Sequence, residues 1–302
     1  MSGADSVTSK AFNPFAAAFY GPLQMVRRPV AAALLFLASA LLATLLAGGV
    51  FTVYGASGLA ESGLPQRMED LRVADTAIAL CLILAVWAGY ISISAAWLRF
   101  LVRGEVHAFP FRLGADEGRL TLSLIVHALI LGAVLIVAAL SMWAMISLVE
   151  FTSGIALPDA AASAVLLAVF AWVSVRLWAL PALTIRDTRV WGTDVWPVTR
   201  GIFWPALLAL VIVAAMTELA PFSSVTKRFD LIGPSDLGAV TVLWVSPDSA
   251  GMLRWALMIV FSLAASIVSY GYSAYIARWD ALQEREPVAD DALLRMRDVA
   301  AS

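Results

Sequence analysis

Six long apolar runs occupy most of this sequence, and they limit the possible folds more than any other feature. They cover residues 30–54, 73–100, 120–151, 160–186, 201–220 and 254–279. A helix needs about 20 apolar residues to cross the hydrocarbon core of a bilayer. Inside that core a helix also satisfies its own backbone polar groups. The runs therefore predict an all-α fold, a polytopic membrane bundle with six transmembrane helices.

The composition agrees with this prediction and limits what else the chain can contain. Hydrophobic residues make up 61% of the 302 residues and charged residues 14%. Soluble domains have about 45–50% apolar and about 25% charged residues. Six spans leave only short loops and tails, so we expect a single integral membrane domain over residues 1–302 without a separate catalytic domain.

The first run follows two arginines, as the apolar core of a secretory signal peptide also does. Such a core is about 7–15 residues long and lies close to the N-terminus. The run at 30–54 is longer and starts later. We therefore expect an uncleaved transmembrane helix.

Two segments have the aromatic and basic residues that are typical of the membrane–water interface. Residues 187–200 contain Trp191 and Trp196 among arginines, which predicts a segment lying along that interface. Residues 11–28 combine aromatic side chains with two terminal arginines. This second segment fits either an interfacial helix or a lead-in packed on the bundle.

The distribution of Lys and Arg predicts how the chain is threaded. The N-terminus, the 103–119 loop, the 186–200 segment and the C-terminal tail, with the adjoining span ends, hold fourteen of these residues, against five on the opposite side. Positive charge accumulates on the cytoplasmic side of membrane proteins. Both termini are therefore predicted to be cytoplasmic.

Polar residues within the apolar runs define a candidate ligand-binding layer. Arg176 lies ten residues before Arg186, which corresponds to a depth of about 15 Å along a helix. The other members fall at a similar depth, and intramembrane ionisable groups commonly mark functional sites. Hydroxyl groups around a buried cation could receive an anionic group such as a lipid phosphate. The candidate layer comprises Arg176, His127, Ser92, Ser94, Ser269 and Tyr270.

Structural roles compete with this hypothesis for both ionisable residues. Arg176 has a long side chain that can extend to the cytoplasmic face, with backbone carbonyls freed by Pro181 as partners. His127 can serve as a satisfied donor between helices. No acidic residue lies at the depth of Arg176, so a simple ion pair is not expected there.

Known enzyme signatures do not occur in the sequence. It has no nucleotide-binding glycine motif, no HExxH and no GxSxG. No cluster of His, Cys and carboxylate residues has the spacing of metal ligands, and Cys81 is the only cysteine. The basic residues follow the membrane sides instead of forming a nucleic-acid patch. We therefore expect a non-enzymatic protein without a cofactor or nucleic-acid partner.

Two blocks of sequence carry a resemblance to a known family. They are AAWLRFLVRGE (95–105) with FRLGADEGRL (111–120), and VRLWALPALTIRD (175–187) with WPVTRGIFW (196–204). This order of features resembles uncharacterised bacterial inner-membrane proteins of the YciC type, which are related to the membrane domain of some glycerophosphodiester phosphodiesterases. The resemblance covers most of residues 90–205. It implies a six-helix fold in the bacterial cytoplasmic membrane and transfers no catalytic residues.

Three functional hypotheses follow. The first is a protein that handles or senses an amphiphile, with membrane lipids as partners, or supports envelope homeostasis. The second is a transporter or lipid flippase. The third is an assembly or stabilising subunit with a membrane-protein partner.

Overall fold

The computed structural model describes residues 11–56, 73–105, 111–153, 159–219 and 259–283, and all regular structure within these ranges is helical. The all-α prediction is therefore confirmed. Five helical segments are long and apolar enough to cross a membrane, which agrees with the prediction of a membrane protein. These segments are Pro29–Leu46, Leu80–Val102, Ala115–Val149, Ala162–Asp187 and Ile259–Gln283.

The N-terminal segment forms two short helices that pack on the rest of the molecule. Helix α1 spans Pro14–Ala18 and α2 spans Tyr20–Arg27. The Asn13 side chain accepts a hydrogen bond from the Ala16 amide at 3.0 Å and so caps α1. Ala17 and Ala18 are fully buried. Of the two interpretations of residues 11–28, this burial supports a lead-in packed on the bundle.

The next three helices match the first three apolar runs to within a few residues. Helix α3 spans Pro29–Ala56, α4 spans Val73–Val102 and α5 spans Ala115–Ser153. Helices α3 and α4 pack together. The Trp97 indole N–H donates to the Ser39 hydroxyl at 3.1 Å across that contact, which satisfies two polar groups between otherwise apolar surfaces.

The fourth apolar run, predicted as a span over 160–186, agrees with the candidate span Ala162–Asp187 but consists of two helices. Helix α6 covers Asp159–Leu177 and α7 covers Leu180–Asp187. Pro181 explains the interruption, because its ring lacks an N–H and clashes with the carbonyl of the residue four positions earlier. The backbone hydrogen-bond pattern of α6 therefore does not continue without a break into α7.

Three further helices complete the described part of the chain. A short helix, α8, spans Val195–Val198, and α9 spans Phe203–Leu219. The apolar part of α9, Phe203–Met216, is shorter than the five candidate spans. Helix α10 is described over Ile259–Gln283, so residues 254–258 of the sixth predicted span lie outside the described residues.

Burial is concentrated at one end of the bundle, where α4 ends, α5 begins and α7 and α10 end. We call this the arginine-rich end, because several arginines meet there. Fully buried side chains at this end include Trp97, Leu183 and Ile276. In contrast, only 6% of the apolar stretch of α5, within Ala115–Val149, is buried. Exposed apolar helix faces suit contact with lipid chains, which supports a membrane environment.

An ion-pair network closes the arginine-rich end. The guanidinium of Arg99 pairs with Glu117, and each side chain is only 3% exposed. Arg103 pairs with Asp116 at 3.0 Å and also donates to the Ile185 carbonyl. These contacts join α4, α5 and α7. The sequence analysis did not predict them, although the acidic pair at the start of α5 was the available signal.

Candidate functional site

A cavity of about 470 Å³ lies between α4, α5, α7 and α10. We call it the central cavity. Its wall combines apolar side chains with hydroxyl groups and one imidazole, and none of the described residues that line it is a carboxylate, lysine or arginine. The lining residues are Tyr90, Ser94, Leu98, Leu120, Leu124, His127, Trp178, Pro181, Ser262, Ala265, Ser266, Ser269, Tyr270 and Ser273.

Ser94 and Tyr270 form the centre of the polar wall. The Ser94 hydroxyl donates to the Tyr90 carbonyl at 2.7 Å, which uses its single proton. The Tyr270 hydroxyl lies 2.6 Å from the Ser94 oxygen and is therefore the donor of that pair. The side chain of Ser266 also lies within reach of Tyr270. This chain of hydroxyls links α4 to α10 across the cavity.

Two polar atoms of the cavity residues are buried without a hydrogen-bond partner in the part of the chain that the structure describes. They are Nδ1 of His127 and the hydroxyl oxygen of Ser273. Ser273 is only 3% exposed, so its hydroxyl cannot be satisfied by bulk solvent. A buried polar group without a partner costs about 1–3 kcal/mol. Both residues line the cavity, so a ligand there would lie beside two polar groups that have no hydrogen bond to the described part of the protein.

The interruption between α6 and α7 forms part of the same wall. Trp178 lies in the turn between the two helices, and its indole N–H donates to the Ser269 carbonyl at 3.4 Å. Pro181 follows on α7 and also lines the cavity. Irregular backbone at membrane depth is tolerated where it is buried in protein or lines a cavity. The break in the fourth span thus lies where a ligand would contact it.

The remaining wall is apolar, and part of the rim is exposed. Leu98, Leu120 and Leu124 provide aliphatic surface. At the rim Tyr90 and Ser262 are exposed in the described part of the chain. The arrangement is amphipathic, with a hydroxyl-rich side for a neutral polar group and an aliphatic side for a hydrocarbon group.

Arg176 lies elsewhere, beside the segment that follows α7. Its Nη1 donates to the Trp196 carbonyl and to the Thr199 hydroxyl, each at 3.2 Å. Its guanidinium also lies 5.4 Å from the centre of the Phe203 ring. Backbone carbonyl and hydroxyl partners were among those considered for Arg176. They come from residues 196–199 and not from the carbonyls around Pro181 or from the cavity hydroxyls.

Arg176 lines a second, smaller pocket of about 290 Å³. We call it the arginine pocket. Its lining residues are Trp172, Arg176, Trp196, Pro197 and Arg200. It joins α6 to the segment around α8, which the sequence predicted to lie along the membrane interface.

The structure therefore divides the candidate polar layer. His127, Ser94, Ser269 and Tyr270 line the central cavity, whereas Arg176 lines the arginine pocket. Ser92 is buried but lines neither of them. The reason is geometric, because equal depth along a helix does not fix direction around it. Neighbours two positions apart, such as Ser92 and Ser94, point about 200° apart at 3.6 residues per turn.

The sequence analysis identified only one, Ser269, of the four serines on α10 that line the cavity. Ser262, Ser266, Ser269 and Ser273 follow one another at intervals of four, three and four residues. This spacing places them on a single helix face. A polar stripe along an otherwise apolar run was the signal that could have identified α10 as a wall of the site.

Metal ligands and known relatives do not identify this site. Among the residues that the structure describes, no group of three or more His, Cys, Asp or Glu side chains is placed to hold a metal ion. A scan against protein-family models finds no match, and neither the curated proteins nor the solved structures contain one. The resemblance to YciC-type proteins therefore stays a prediction from the sequence blocks.

Proposed function

We propose that this protein is a multi-pass membrane protein that binds an amphiphile in the central cavity, in a non-catalytic role. Handling or sensing a membrane lipid, or support of envelope homeostasis, would follow from such binding. The cavity lies within the range of about 300–1,000 Å³ that is usual for small-molecule sites. Its amphipathic wall suits a ligand with a neutral polar group and a hydrocarbon part.

One observation carries the proposal: His127 Nδ1 and the Ser273 hydroxyl are buried, have no hydrogen-bond partner among the described residues, and belong to residues that line the same cavity. Inside a protein, most buried polar side-chain atoms have at least one hydrogen-bond partner. A hydroxyl, ester or amide group of a ligand would supply that partner. Because no described residue of the wall carries a charge, a neutral group fits it better than an ionised one.

The proposed setting is the bacterial cytoplasmic membrane, with six spans and both termini in the cytoplasm. In this arrangement α9 is the sixth span, in addition to the five longer helical segments. Residues 187–200 lie along the membrane–water interface. The distribution of Lys and Arg supports the threading. The burial of Trp191 and the stacking of Arg189 on its ring, 4.1 Å from guanidinium carbon to ring centre, suit an interfacial segment.

A transporter or flippase is the second candidate, and the break between α6 and α7 favours it. Discontinuous helices commonly form substrate sites in secondary transporters. Trp178 and Pro181 place such a break in the wall of the cavity. In this version of the proposal the protein would transport the same amphiphile across the bilayer in addition to binding it.

A matched pair of alanines on α10 allows a direct test. Ala265 lines the central cavity, whereas the adjacent Ala264 is exposed and does not. Ala265→Phe places a ring in the cavity without removing a polar group, and Ala264→Phe adds the same ring outside it. Each protein is purified in mild detergent, and its bound lipids and other amphiphiles are identified by native mass spectrometry.

We expect the wild type and Ala264→Phe to retain an amphiphile and Ala265→Phe to lose most of it. All three should have similar thermal stabilities, since the ring of Ala265→Phe occupies existing space. Equal retention by Ala264→Phe and Ala265→Phe would contradict the proposal. Reconstitution in vesicles with a fluorescent lipid then separates holding from movement across the bilayer.

A further inference from the structure

The arginine pocket differs from the central cavity because its unpaired polar atoms are all donors. Arg176 Nε and the indole nitrogen of Trp196 are both buried, and neither has an acceptor within the described ranges of the chain. Guanidinium and indole N–H groups can donate hydrogen bonds but cannot accept them. A ligand that satisfies them must therefore present acceptor oxygens.

The charge of the arginine pocket leads to the same conclusion. Arg176 and Arg200 line it together and lie close enough for their positive charges to repel each other. Neither forms an ion pair with a carboxylate in the described ranges of the chain. An anion between the two arginines would relieve this repulsion.

The pocket also holds one of its donors in a fixed position. Arg176 Nη1 is hydrogen-bonded to the Trp196 carbonyl and to Thr199, which leaves Nε and Nη2 as donors without a partner among the described residues. Trp172 and Trp196 meet edge to face with ring centres 5.3 Å apart and form the adjacent aromatic surface. Amphipathic indole rings are typical of sites at the level of lipid headgroups.

We propose that the arginine pocket binds a phosphate-bearing anion, at a site separate from the amphiphile in the central cavity. The phosphate oxygens would accept from Arg176 Nε and Trp196 Nε1 and pair with the Arg200 guanidinium. Guanidinium groups match phosphate in both charge and geometry. A lipid headgroup and free phosphate share this chemistry, so the experiment distinguishes the two sources.

The test uses Arg200→Met, with Arg189→Met as its control. Both substitutions remove one positive charge from the same segment, but Arg189 stacks on Trp191 and does not line the pocket. Binding of phosphatidylglycerol and of a diacylglycerol with the same chains is measured by native mass spectrometry of the full chain in detergent at fixed salt. For this comparison every protein also carries Ala265→Phe, which fills the central cavity where a neutral diacylglycerol is expected to bind, and "wild type" refers to the unchanged arginine pocket. Binding of inorganic phosphate is measured in parallel by equilibrium dialysis.

We expect the wild type and Arg189→Met to prefer phosphatidylglycerol over diacylglycerol, and Arg200→Met to bind phosphatidylglycerol about tenfold more weakly, as loss of one charge-assisted contact implies. If the bound anion is a lipid headgroup, inorganic phosphate should neither bind nor compete with phosphatidylglycerol. A free-phosphate source predicts that inorganic phosphate binds with the same dependence on Arg200.

Two results would overturn the proposal. One is equal binding of phosphatidylglycerol and diacylglycerol to the wild type together with no binding of inorganic phosphate. The other is the same anion affinity in Arg200→Met and Arg189→Met. A second variant, Arg176→Lys, keeps the positive charge but removes the planar guanidinium group. It should weaken anion binding as well. Ala265→Phe should leave anion binding unchanged, so that failure here and failure of the cavity proposal are distinguishable.

Discussion

At the scale of single residues, the ion pair between Arg99 and Glu117 is the contact whose loss should cost most. Both side chains are 3% exposed. Arg99→Met leaves the Glu117 carboxylate buried without its main cation, which is expected to destabilise the fold by about 3–5 kcal/mol. The free energy of unfolding in detergent, measured by denaturant titration, checks this expectation.

The matched control is Arg112→Met, because the Arg112 side chain is half exposed and its carboxylate contacts are long, at 3.9 and 4.0 Å. Exposed pairs contribute about 0–1 kcal/mol, so this change should be nearly neutral. The double variant Arg99→Met with Glu117→Leu removes both charges and should recover much of the loss. If Arg99→Met is no more destabilising than Arg112→Met, the buried pair is not a stabilising contact.

Arg176 illustrates how far single residues can be interpreted from sequence. Its position inside an apolar run and the lack of an acid at its depth are both visible in the sequence. Its partners are not, because Trp196 and Thr199 belong to a segment whose path depends on the turn after α7. Depth can be counted along one helix, whereas contacts depend on how several helices are rotated and packed.

At the scale of helices, α2 and α10 approach closely enough to require glycine on both sides. A Cβ atom on Gly271 would lie 2.3 Å from the backbone nitrogen of Gly21 and 2.6 Å from its Cα. Because these atoms are backbone, they cannot move aside without shifting the whole helix. We expect Gly271→Ala to destabilise the protein by about 1–3 kcal/mol, as overpacking does, and thermal unfolding in detergent measures this.

Gly132→Ala provides the comparison, since a Cβ atom on Gly132 in α5 meets nothing within 4 Å. Replacing an unhindered helical glycine by alanine stabilises a helix by about 0.5–1 kcal/mol. The two substitutions should therefore have opposite signs. A Gly271→Ala protein as stable as Gly132→Ala would show that α2 does not pack on α10 at this distance.

Helix positions were predictable to within a few residues, but the break between α6 and α7 was not. Hydropathy is an average over a window, and the apolar character continues through Trp178 and Ala179. Pro181 was visible, yet neighbouring helices often satisfy the backbone around a transmembrane proline without a break. The serine stripe on α10 is the opposite case, because it was missed although its periodicity alone would have assigned a face.

At the scale of the whole molecule, the threading is a prediction that the charge distribution supports. Its test places single cysteines at Ser57, Ser235 and Ser302, which lie outside the described residues, in a Cys81→Ala background. An impermeant thiol reagent on intact cells should label Ser57→Cys and Ser235→Cys but not Ser302→Cys, if both termini are cytoplasmic. Labelling of Ser302→Cys would show the opposite orientation or an odd number of spans.

The uneven burial also belongs to the whole molecule, and hydropathy does not reveal it. All long helices are strongly apolar, yet the fully buried side chains gather at the arginine-rich end while most of α5 is exposed. In a membrane an apolar side chain can face lipid or protein with similar ease. The polar pattern on α4, α5 and α10 was therefore the available guide to the cavity.

The most direct test of an amphiphile in the central cavity is photo-crosslinking in nanodiscs with a neutral diacylglycerol that carries a diazirine beside its glycerol group. Mapping of modified peptides should find adducts at Ser94, His127 and Tyr270, and these adducts should be lost in Ala265→Phe. Adducts at the exposed Trp143 and Phe151 should remain in both proteins. Adducts confined to Trp143 and Phe151 in the wild type, or cavity adducts unchanged by Ala265→Phe, would contradict the account.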